Sequence, residues 1–180
     1  MLPPIIEKIE IPEGVTVEIA DSAIKAKGPK GENEKLCKHY KIDIKKDDKN
    51  IILESKKPSK REKTMLYSFK AHLKNLLDGV NTGFTYKVKV CSSHFPMSVS
   101  VENNEVVIKN FLGEKIPRRS RIMPGVEVKI EGEILVVEGI DKEQTSITAA
   151  KIEQATRITN RDRRVFQDGC FIIEKAGKAI

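Results

Sequence analysis

The sequence lacks any long apolar run. Its best hydrophobic segments, such as Ile134 to Val137, last only a few residues in a chain of 180. A membrane-spanning helix needs about 20 such residues. The first four residues, Met1 to Pro4, contain neither a basic region nor an apolar core, so no secretory signal is expected. With 39% hydrophobic and 33% charged residues, the composition predicts a soluble globular protein.

Cysteine is scarce. Cys37, Cys91 and Cys170 are an odd number spread far apart, which suits a reducing compartment better than a disulfide framework. We therefore expect a reducing compartment, with all three cysteines as packing residues. Cys91 and His94 are close enough in sequence to share a metal, but no second pair of ligands follows at zinc-site spacing. Neither a metal nor another cofactor is expected.

Catalytic motifs are also missing, which argues against an enzyme. The chain has no Gly-x-Ser-x-Gly elbow, no cluster of metal ligands and no pair of carboxylates in an apolar context. The turn from Lys27 to Glu32 is glycine-rich, but a P-loop needs Gly-Lys followed by Ser or Thr at the start of a helix. Two interpretations of this turn stay open: a hairpin that needs glycine conformations, or a phosphate contact through Lys27 and Lys30.

Positive charge is abundant, with a net charge of +7 and a pI near 9.2. Such a balance favours an acidic partner, either nucleic acid or an anionic membrane surface. Near the end of the chain Arg157, Arg161, Arg163 and Arg164 follow one another with only Asp162 to offset them. Guanidinium groups match phosphate oxygens in pairs and stack on bases. A solvated charged face is the alternative, but the basic balance of the chain favours RNA or DNA.

The chain contains an internal repeat with an offset of 82 positions. This shift superposes Val17 on Val99, Lys27 on Lys109, Gly31 on Gly113, Glu32 on Glu114, Ile52 on Ile134 and Leu53 on Leu135. It also aligns two candidate helix starts, the capping box Ser59-x-x-Glu62 and its counterpart Asp141-x-x-Gln144. We predict two domains, residues 1–82 and 83–180, which meet near Asn81 to Gly83.

Each copy is predicted to begin with strands and to end with one helix. In the first copy Val15, Val17 and Ile19 alternate as in a strand. The apolar stripe of its helix comprises Leu66, Phe69, Leu73, Leu76 and Leu77, and Asp78-Gly79 is predicted to end it. The helix of the second copy should pack through Ile147, Ala150, Ala155 and Ile158. Antiparallel strands packed on one helix in each copy define an α+β fold.

The two copies differ in their cations. The first has only Arg61 beside sixteen lysines, whereas the second has seven arginines: Arg118, Arg119, Arg121, Arg157, Arg161, Arg163 and Arg164. We therefore expect the second copy to make the specific contact. The neighbouring Phe166 and Phe171 are the best aromatic candidates for a contact with nucleic acid, but core packing is favoured for both because they lie in apolar alternation. Asp168-Gly169 is predicted to form a turn.

Four groups of residues carry a family resemblance: Ile108 to Lys115, Arg118 to Arg121 with Pro124 to Val126, Gly79-Val80 with Gly83 to Lys87, and His94 to Pro96. They resemble the large-subunit ribosomal protein L6 family, whose eukaryotic members are called L9. The strongest likeness is to the archaeal and eukaryotic signature of that family, through Gln154, Ile158, Arg161, Arg164, Phe166, Asp168, Gly169, Ile172 and Lys175. Two departures are Cys170-Phe171, where the signature favours an aliphatic residue and tyrosine, and the absence of tryptophan between Ser55 and Lys63.

The resemblance implies a structural protein that sits on large-subunit rRNA near the sarcin-ricin loop and the base of the factor-binding stalk. It implies neighbouring ribosomal proteins as partners, translation GTPases nearby, a place in cytoplasmic ribosomes, and assembly in the nucleolus if the source is eukaryotic. The expected rRNA contacts are Arg118, Arg119, Arg121, Arg157, Arg161, Arg163, Arg164 and Lys175, with Lys27 and Lys30 from the first copy. A free RNA-binding regulatory protein is the alternative.

Overall fold

A computed structural model of the chain describes residues 3–20, 23–47, 49–56 and 58–180. Met1 and Leu2, which entered the expectation about a secretory signal, lie outside these residues, as does Lys57 within the segment from Ser55 to Lys63. The chain divides into two compact units, Met1–Gly83 and Phe84–Ile180, hereafter unit 1 and unit 2. Gly83 falls in unit 1 because its N–H donates to the carbonyl of Gly79 at 3.0 Å.

Unit 1 contains six strands followed by one helix. The strands are β1 (Ile5–Glu10), β2 (Thr16–Ala20), β3 (Ala23–Gly28), β4 (Gly31–Leu36), β5 (Asp43–Lys46) and β6 (Asn50–Ser55), and the helix is α1 (Lys60–Asn81). They form two antiparallel sheets in the orders β1-β6-β5 and β2-β3-β4. Helix α1 packs against strands of both sheets. The predicted arrangement of strands first and helix last is confirmed for this unit.

Helix α1 begins at the predicted capping box. The hydroxyl of Ser59 accepts a hydrogen bond from the N–H of Arg61, and a carboxylate oxygen of Glu62 accepts one from the N–H of Ser59 at 2.8 Å. All five residues of the predicted stripe are buried, namely Leu66, Phe69, Leu73, Leu76 and Leu77. Large apolar side chains at helical spacing thus cover both sheets, as expected.

The predicted end of α1 at Asp78-Gly79 is wrong. The helix continues to Asn81, and Gly79 is buried inside it. The left-handed conformation that ends many helices is adopted four residues later by Gly83, at φ 77°. The additional turn is held by packing and hydrogen bonding, because Val80 is fully buried and its carbonyl accepts from the N–H of Lys30 at 3.0 Å.

Unit 2 repeats this order and then adds two strands. Its elements are β7 (Phe84–Cys91), β8 (Ser98–Glu102), β9 (Glu105–Lys109), a short 3-10 turn (Phe111–Gly113), β10 (Arg118–Arg121), β11 (Val126–Glu131), β12 (Ile134–Gly139), α2 (Lys142–Ala155), β13 (Gly169–Lys175) and β14 (Lys178–Ala179). The sheets have the orders β10-β9-β8 and β11-β12-β7-β13-β14. The prediction that the helix comes last is therefore wrong for this unit, since β13 pairs with β7.

The predicted stripe of α2 is wrong for Ile147, whereas Ala155 and Ile158 are partly buried and do pack against the core of unit 2. Ile147 is 41% exposed, and Ile158 lies beyond the helix. The buried face instead carries Thr145, Thr148, Ala149 and Ile152. The two threonines fit there because each hydroxyl donates to the carbonyl one turn earlier, at 2.7 Å for Thr145 and 2.9 Å for Thr148.

Only one of the two contacts predicted for the capping box of α2 is formed. The carboxylate of Asp141 accepts from the N–H of Glu143 at 2.9 Å, so it caps the helix. The side-chain oxygen of Gln144 is buried and has no hydrogen-bond partner among the described residues, so the second half of the capping box is absent. The core of unit 2 lies between α2 and the two sheets and includes Val88, Ile108, Leu135 and Ile152. Both units are α+β, as predicted.

Candidate nucleic-acid interface

Residues 156–168 form a loop between α2 and β13, here called the arginine loop. Asp162, which lies among the arginines of this loop, accepts hydrogen bonds from residues that follow it. Its carboxylate accepts from the N–H of Arg164 at 2.9 Å and from Nε of Arg164 at 3.3 Å, and its carbonyl accepts from the N–H of Phe166 at 2.9 Å. The backbone and then the side-chain hydrogen bond from Arg164 lower the pKa of Asp162. The loop is therefore folded, although its arginines are exposed.

Three side chains stack where the arginine loop meets the segment after β7. The ring of Phe166 lies 4.9 Å from the ring of His94, with planes inclined by 26°. The guanidinium of Arg161 lies 4.9 Å from the centre of the Phe166 ring, within cation–π range. The prediction that Phe166 is a core residue is not confirmed, because the side chain is half-buried in a polar stack. Phe171 is 43% exposed, so its assignment to the core is wrong.

Asp168 anchors the end of the arginine loop. One carboxylate oxygen accepts from the N–H and hydroxyl of Ser93 and from the N–H of His94 at 3.2 Å. Burial acts to raise the pKa of Asp168, but these hydrogen bonds outweigh it and the pKa is lowered. The predicted turn at Asp168-Gly169 is wrong, because Asp168 is a buried tether and Gly169 begins β13.

Arg118 is held by contacts within unit 2. Its Nε and a terminal nitrogen donate to both oxygens of Glu114, at 2.8 and 2.6 Å, and its other terminal nitrogen donates to the carbonyl of Ala155 at 2.8 Å. Its guanidinium carbon lies 4.3 Å from the centre of the buried Phe111 ring. The hydrogen bond from Arg118 lowers the pKa of Glu114. The side chain therefore links β10 to the end of α2.

Arg119 and Arg121 lie on the other face of β10, because side chains alternate along a strand. Ser120 between them is buried. Arg119 is 3.5 Å from a carboxylate oxygen of Glu105, and the side chains are 62% and 36% exposed, so this surface pair holds it weakly. Arg121 has no side-chain partner within the described part of the chain, which leaves its guanidinium open to an anion.

Arg157 and Arg163 are likewise exposed, and neither guanidinium has an ion pair or hydrogen bond among the residues that the structure describes. Arg164 pairs with Asp162 but is 91% exposed. Both unpaired arginines line a cleft beside the arginine loop. The loop thus brings together four of the predicted contacts, Arg157, Arg161, Arg163 and Arg164.

The three predicted lysines lie elsewhere. Lys175 is at the opposite end of β13 from the arginine loop, about 20 Å along the strand at about 3.3 Å per residue. Lys27 and Lys30 lie in unit 1 on the hairpin between β3 and β4. This hairpin needs glycine, since a Cβ on Gly28 would lie 2.6 Å from the carbonyl oxygen of Val80. The N–H of Lys30 already donates to that oxygen, and the side chains of Lys27 and Lys30 are exposed.

The described part of the chain also contains three cysteines, none of them in a disulfide. Cys37 and Cys170 are buried free thiols, and Cys91 is half-buried. Within residues 3–20, 23–47, 49–56 and 58–180, no three His, Cys, Asp or Glu side chains gather into a metal site. No helix in the described part of the chain is both long and apolar enough to cross a membrane.

The geometry defines a class of protein: a tandem repeat of one α+β unit in which the second repeat carries an exposed arginine surface suited to phosphates. A family model described as ribosomal protein L6 matches residues 11–83 and 95–169, one stretch in each unit. The chain belongs to this family, and the resemblance found in its sequence is confirmed.

Curated relatives are similar along nearly the whole chain, and each is named large ribosomal subunit protein uL6. The protein of Sulfurisphaera tokodaii is 48% identical over 170 residues, which cover 94% of this chain and 91% of the relative. The protein of Aeropyrum pernix is 44% identical over 172 residues, with coverage of 95% and 94%. The protein of Methanobrevibacter smithii is 43% identical over 169 residues, with coverage of 94% and 95%.

Proposed function

We propose that this protein is a structural constituent of the large ribosomal subunit that binds large-subunit rRNA and has no catalytic activity. Membership of the ribosomal protein L6 family across both repeats carries this proposal. The family resemblance supports a position near the sarcin-ricin loop and the base of the factor-binding stalk. Neighbouring ribosomal proteins, with translation GTPases nearby, are the partners that this position implies, within cytoplasmic ribosomes.

The proposed rRNA surface lies mainly on unit 2. Arg157 and Arg163 have no internal partner among the described residues, and Arg161 and Arg164 are exposed on the same loop. Arg119 and Arg121 extend the surface along β10, and Lys175, Lys27 and Lys30 supply outlying charge. Arg118 differs, because Glu114 and backbone carbonyls already occupy its guanidinium. We assign it a positioning role, in which it fixes the start of β10 against the arginine loop.

The proposed mechanism is placement without turnover. Guanidinium groups bind phosphates of folded rRNA, and the shape of the RNA supplies specificity, because the deep, narrow major groove of an RNA helix hides its base edges. The Asp162 and Asp168 hydrogen bonds hold the arginine loop before RNA arrives. A preordered loop loses less conformational freedom on binding, which strengthens the contact.

Replacing Arg161, Arg163 and Arg164 together by alanine tests this surface. Binding to an rRNA fragment should weaken far more than after replacement of Lys27 and Lys30, the control on unit 1. The log-log salt dependence should flatten by about 0.7 to 0.9 per lost phosphate contact. Lysine at the same three positions should give partial loss with an almost unchanged slope, since charge remains but the planar fork does not. Full affinity in the alanine variant would exclude this surface as the contact.

Sedimentation tests the ribosomal assignment itself. The protein should travel almost entirely with large subunits in a lysate of its source. A substantial free pool would instead support the alternative of a free RNA-binding regulator.

A further inference from the structure

A cleft of about 860 Å³ opens beside the arginine loop in unit 2. Its walls come from the end of β7, the end of α2, the arginine loop and the start of β13. This volume falls in the range of about 300–1,000 Å³ that is usual for sites that enclose a small ligand. A flat phosphate-binding surface does not require such a concavity.

One wall of the cleft presents an exposed aromatic ring. Strand alternation places Cys170 in the core and turns Phe171 outwards, where it is 43% exposed. The Phe171 ring rests against Gly169, since a Cβ on that glycine would lie 3.3 Å from the tip of the ring. The absence of a side chain at Gly169 thus leaves room for the end of the ring, and the exposed part of Phe171 offers a planar surface for stacking.

Three cations line the same cleft. Lys89 lies directly across from Phe171 in the pairing of β7 with β13, and Arg157 and Arg163 come from the arginine loop. None of the three side chains has an ion pair or hydrogen bond within the described ranges. Glu133 and Glu153 also line the cleft, and Glu153 already accepts from the N–H of Ile172 at 3.2 Å. The positive charge is therefore local to the arginine loop, where Arg157 and Arg163 could meet the phosphates of a nucleotide whose base lies on the aromatic ring.

A buried acceptor in the wall also lacks a partner. The side chain of Asp168 is 2% exposed, and while one oxygen accepts from Ser93 and His94, Oδ2 accepts no hydrogen bond from any described residue. Nδ1 of His94 lies 3.9 Å from this oxygen, beyond hydrogen-bond distance. This oxygen has almost no accessible surface, so it offers a ligand in the cleft no direct contact.

We propose that this cleft holds one unstacked nucleotide of the bound RNA, with its base on Phe171 and its flanking phosphates at Arg157 and Arg163. This inference rests on the proposed binding of rRNA and adds a single-stranded element to it. Sequence-specific recognition of RNA acts mainly on bases that are splayed out of a helix, because helical RNA hides them. A nucleoside monophosphate shares the chemistry but brings only one phosphate group, so the cleft should favour RNA over it.

Paired aromatic variants test the cleft. A labelled single-stranded RNA and a blunt duplex of the same sequence are titrated into the full chain. Phe171→Ala should lower the single-strand affinity by about 5-fold or more, as expected for loss of one base–aromatic stack, and leave the duplex affinity unchanged. Phe171→Tyr should retain both affinities. Phe95→Ala is the matched control, because Phe95 is also in unit 2 and 43% exposed but does not line the cleft. Unchanged single-strand affinity in Phe171→Ala would overturn the inference.

Alkylation of Cys91 gives a second readout in the unmodified sequence. Cys91 lines the cleft and is the most exposed of the three thiols. Single-stranded RNA should slow its reaction with iodoacetamide, whereas duplex and adenosine monophosphate at the same nucleotide concentration should not. Equal protection by all three probes would contradict an RNA-specific site.

The two proposals can fail separately. If the wild-type chain does not bind an rRNA fragment, the proposed function fails. If it binds the fragment but Phe171→Ala behaves like Phe95→Ala, only the cleft inference fails.

Discussion

Units 1 and 2 begin alike and diverge at the end of the helix. A shift of 82 positions places β2 on β8 and the first residue of α1, Lys60, on the first residue of α2, Lys142. Helix α1 then runs for 22 residues, whereas α2 runs for 14. The residues that form the last two turns of α1 correspond in unit 2 to the start of the arginine loop. The arginine loop, the main part of the proposed RNA surface, therefore begins in the part of the repeat that is no longer helical.

Different packing accompanies the two helix lengths. In unit 1 the last turn brings the Val80 carbonyl against the β3–β4 hairpin, which leaves no room for a Cβ on Gly28. In unit 2 the residue that corresponds to Gly28 is Asn110, at φ 61°, and the next residue is the buried Phe111. The shortened α2 removes the demand for glycine, and Phe111 supplies apolar volume to the core. Thr156 then stops the helix and accepts from the N–H of Cys170 at 2.9 Å, which joins the helix end to β13.

The largest expected effect comes from separating the units. Each has its own buried core and capped helix, so we predict that fragments 1–83 and 84–180 both unfold cooperatively, with lower stability than the full chain because small domains bury less surface. Thermal melts followed by circular dichroism check this. Cooperative unfolding of the full chain but of neither fragment would mean that the repeats form one folding unit.

The next largest effect is the difference in stability loss between substitutions on the buried and on the exposed face of α2. Ile152→Ala should destabilise unit 2 by about 2–5 kcal/mol, because this fully buried side chain leaves a cavity between the helix and the sheets. Ile147→Ala, on the same helix but 41% exposed, should change stability by no more than about 0.5 kcal/mol. Urea unfolding of both variants gives the comparison. A larger loss for Ile147→Ala would restore the stripe that the sequence predicts.

A comparison of the two helices shows where a hydrophobic pattern is sufficient to predict the buried face. Unit 1 is predictable because five large apolar residues at helical spacing leave one choice of buried face, and its Ser59–Glu62 capping box is a local motif. In α2 the buried face contains Thr145 and Thr148, which a hydrophobic pattern counts as polar. Their hydroxyls are satisfied within the helix, and this becomes visible only when the helix is built.

The candidate site is predictable in composition but not in geometry. Clustered arginines identify the surface because local charge density requires no fold. The pairing of β13 with β7 brings Gly169 beside Cys91, and no local signal encodes a contact between such distant positions. The tether from Asp168 to Ser93, the stack of Phe166 on His94 and the outward turn of Phe171 all depend on that pairing. The internal role of Arg118 likewise requires the end of α2 to be in place.

The smallest expected effect is a difference between the two helix starts in how strongly they make stability depend on pH. Hydrogen bonds from the Ser59 hydroxyl and then the Ser59 N–H lower the pKa of Glu62 from 4.5 to about 2, and Lys41 adds a contact at 3.2 Å. Because the folded-state pKa is the lower one, the carboxylate stabilises unit 1 above pH 4.5, and this contribution is lost as the pH falls towards about 2.

Between these pH values the free energy of unfolding should therefore fall less steeply in Glu62→Gln than in the wild-type protein. Urea unfolding at a series of pH values measures both slopes. Gln144→Ala, at the equivalent position of unit 2, removes no titrating group and should keep the wild-type pH dependence. Parallel curves for Glu62→Gln and the wild-type protein would show that the capping carboxylate does not couple the stability of unit 1 to acid.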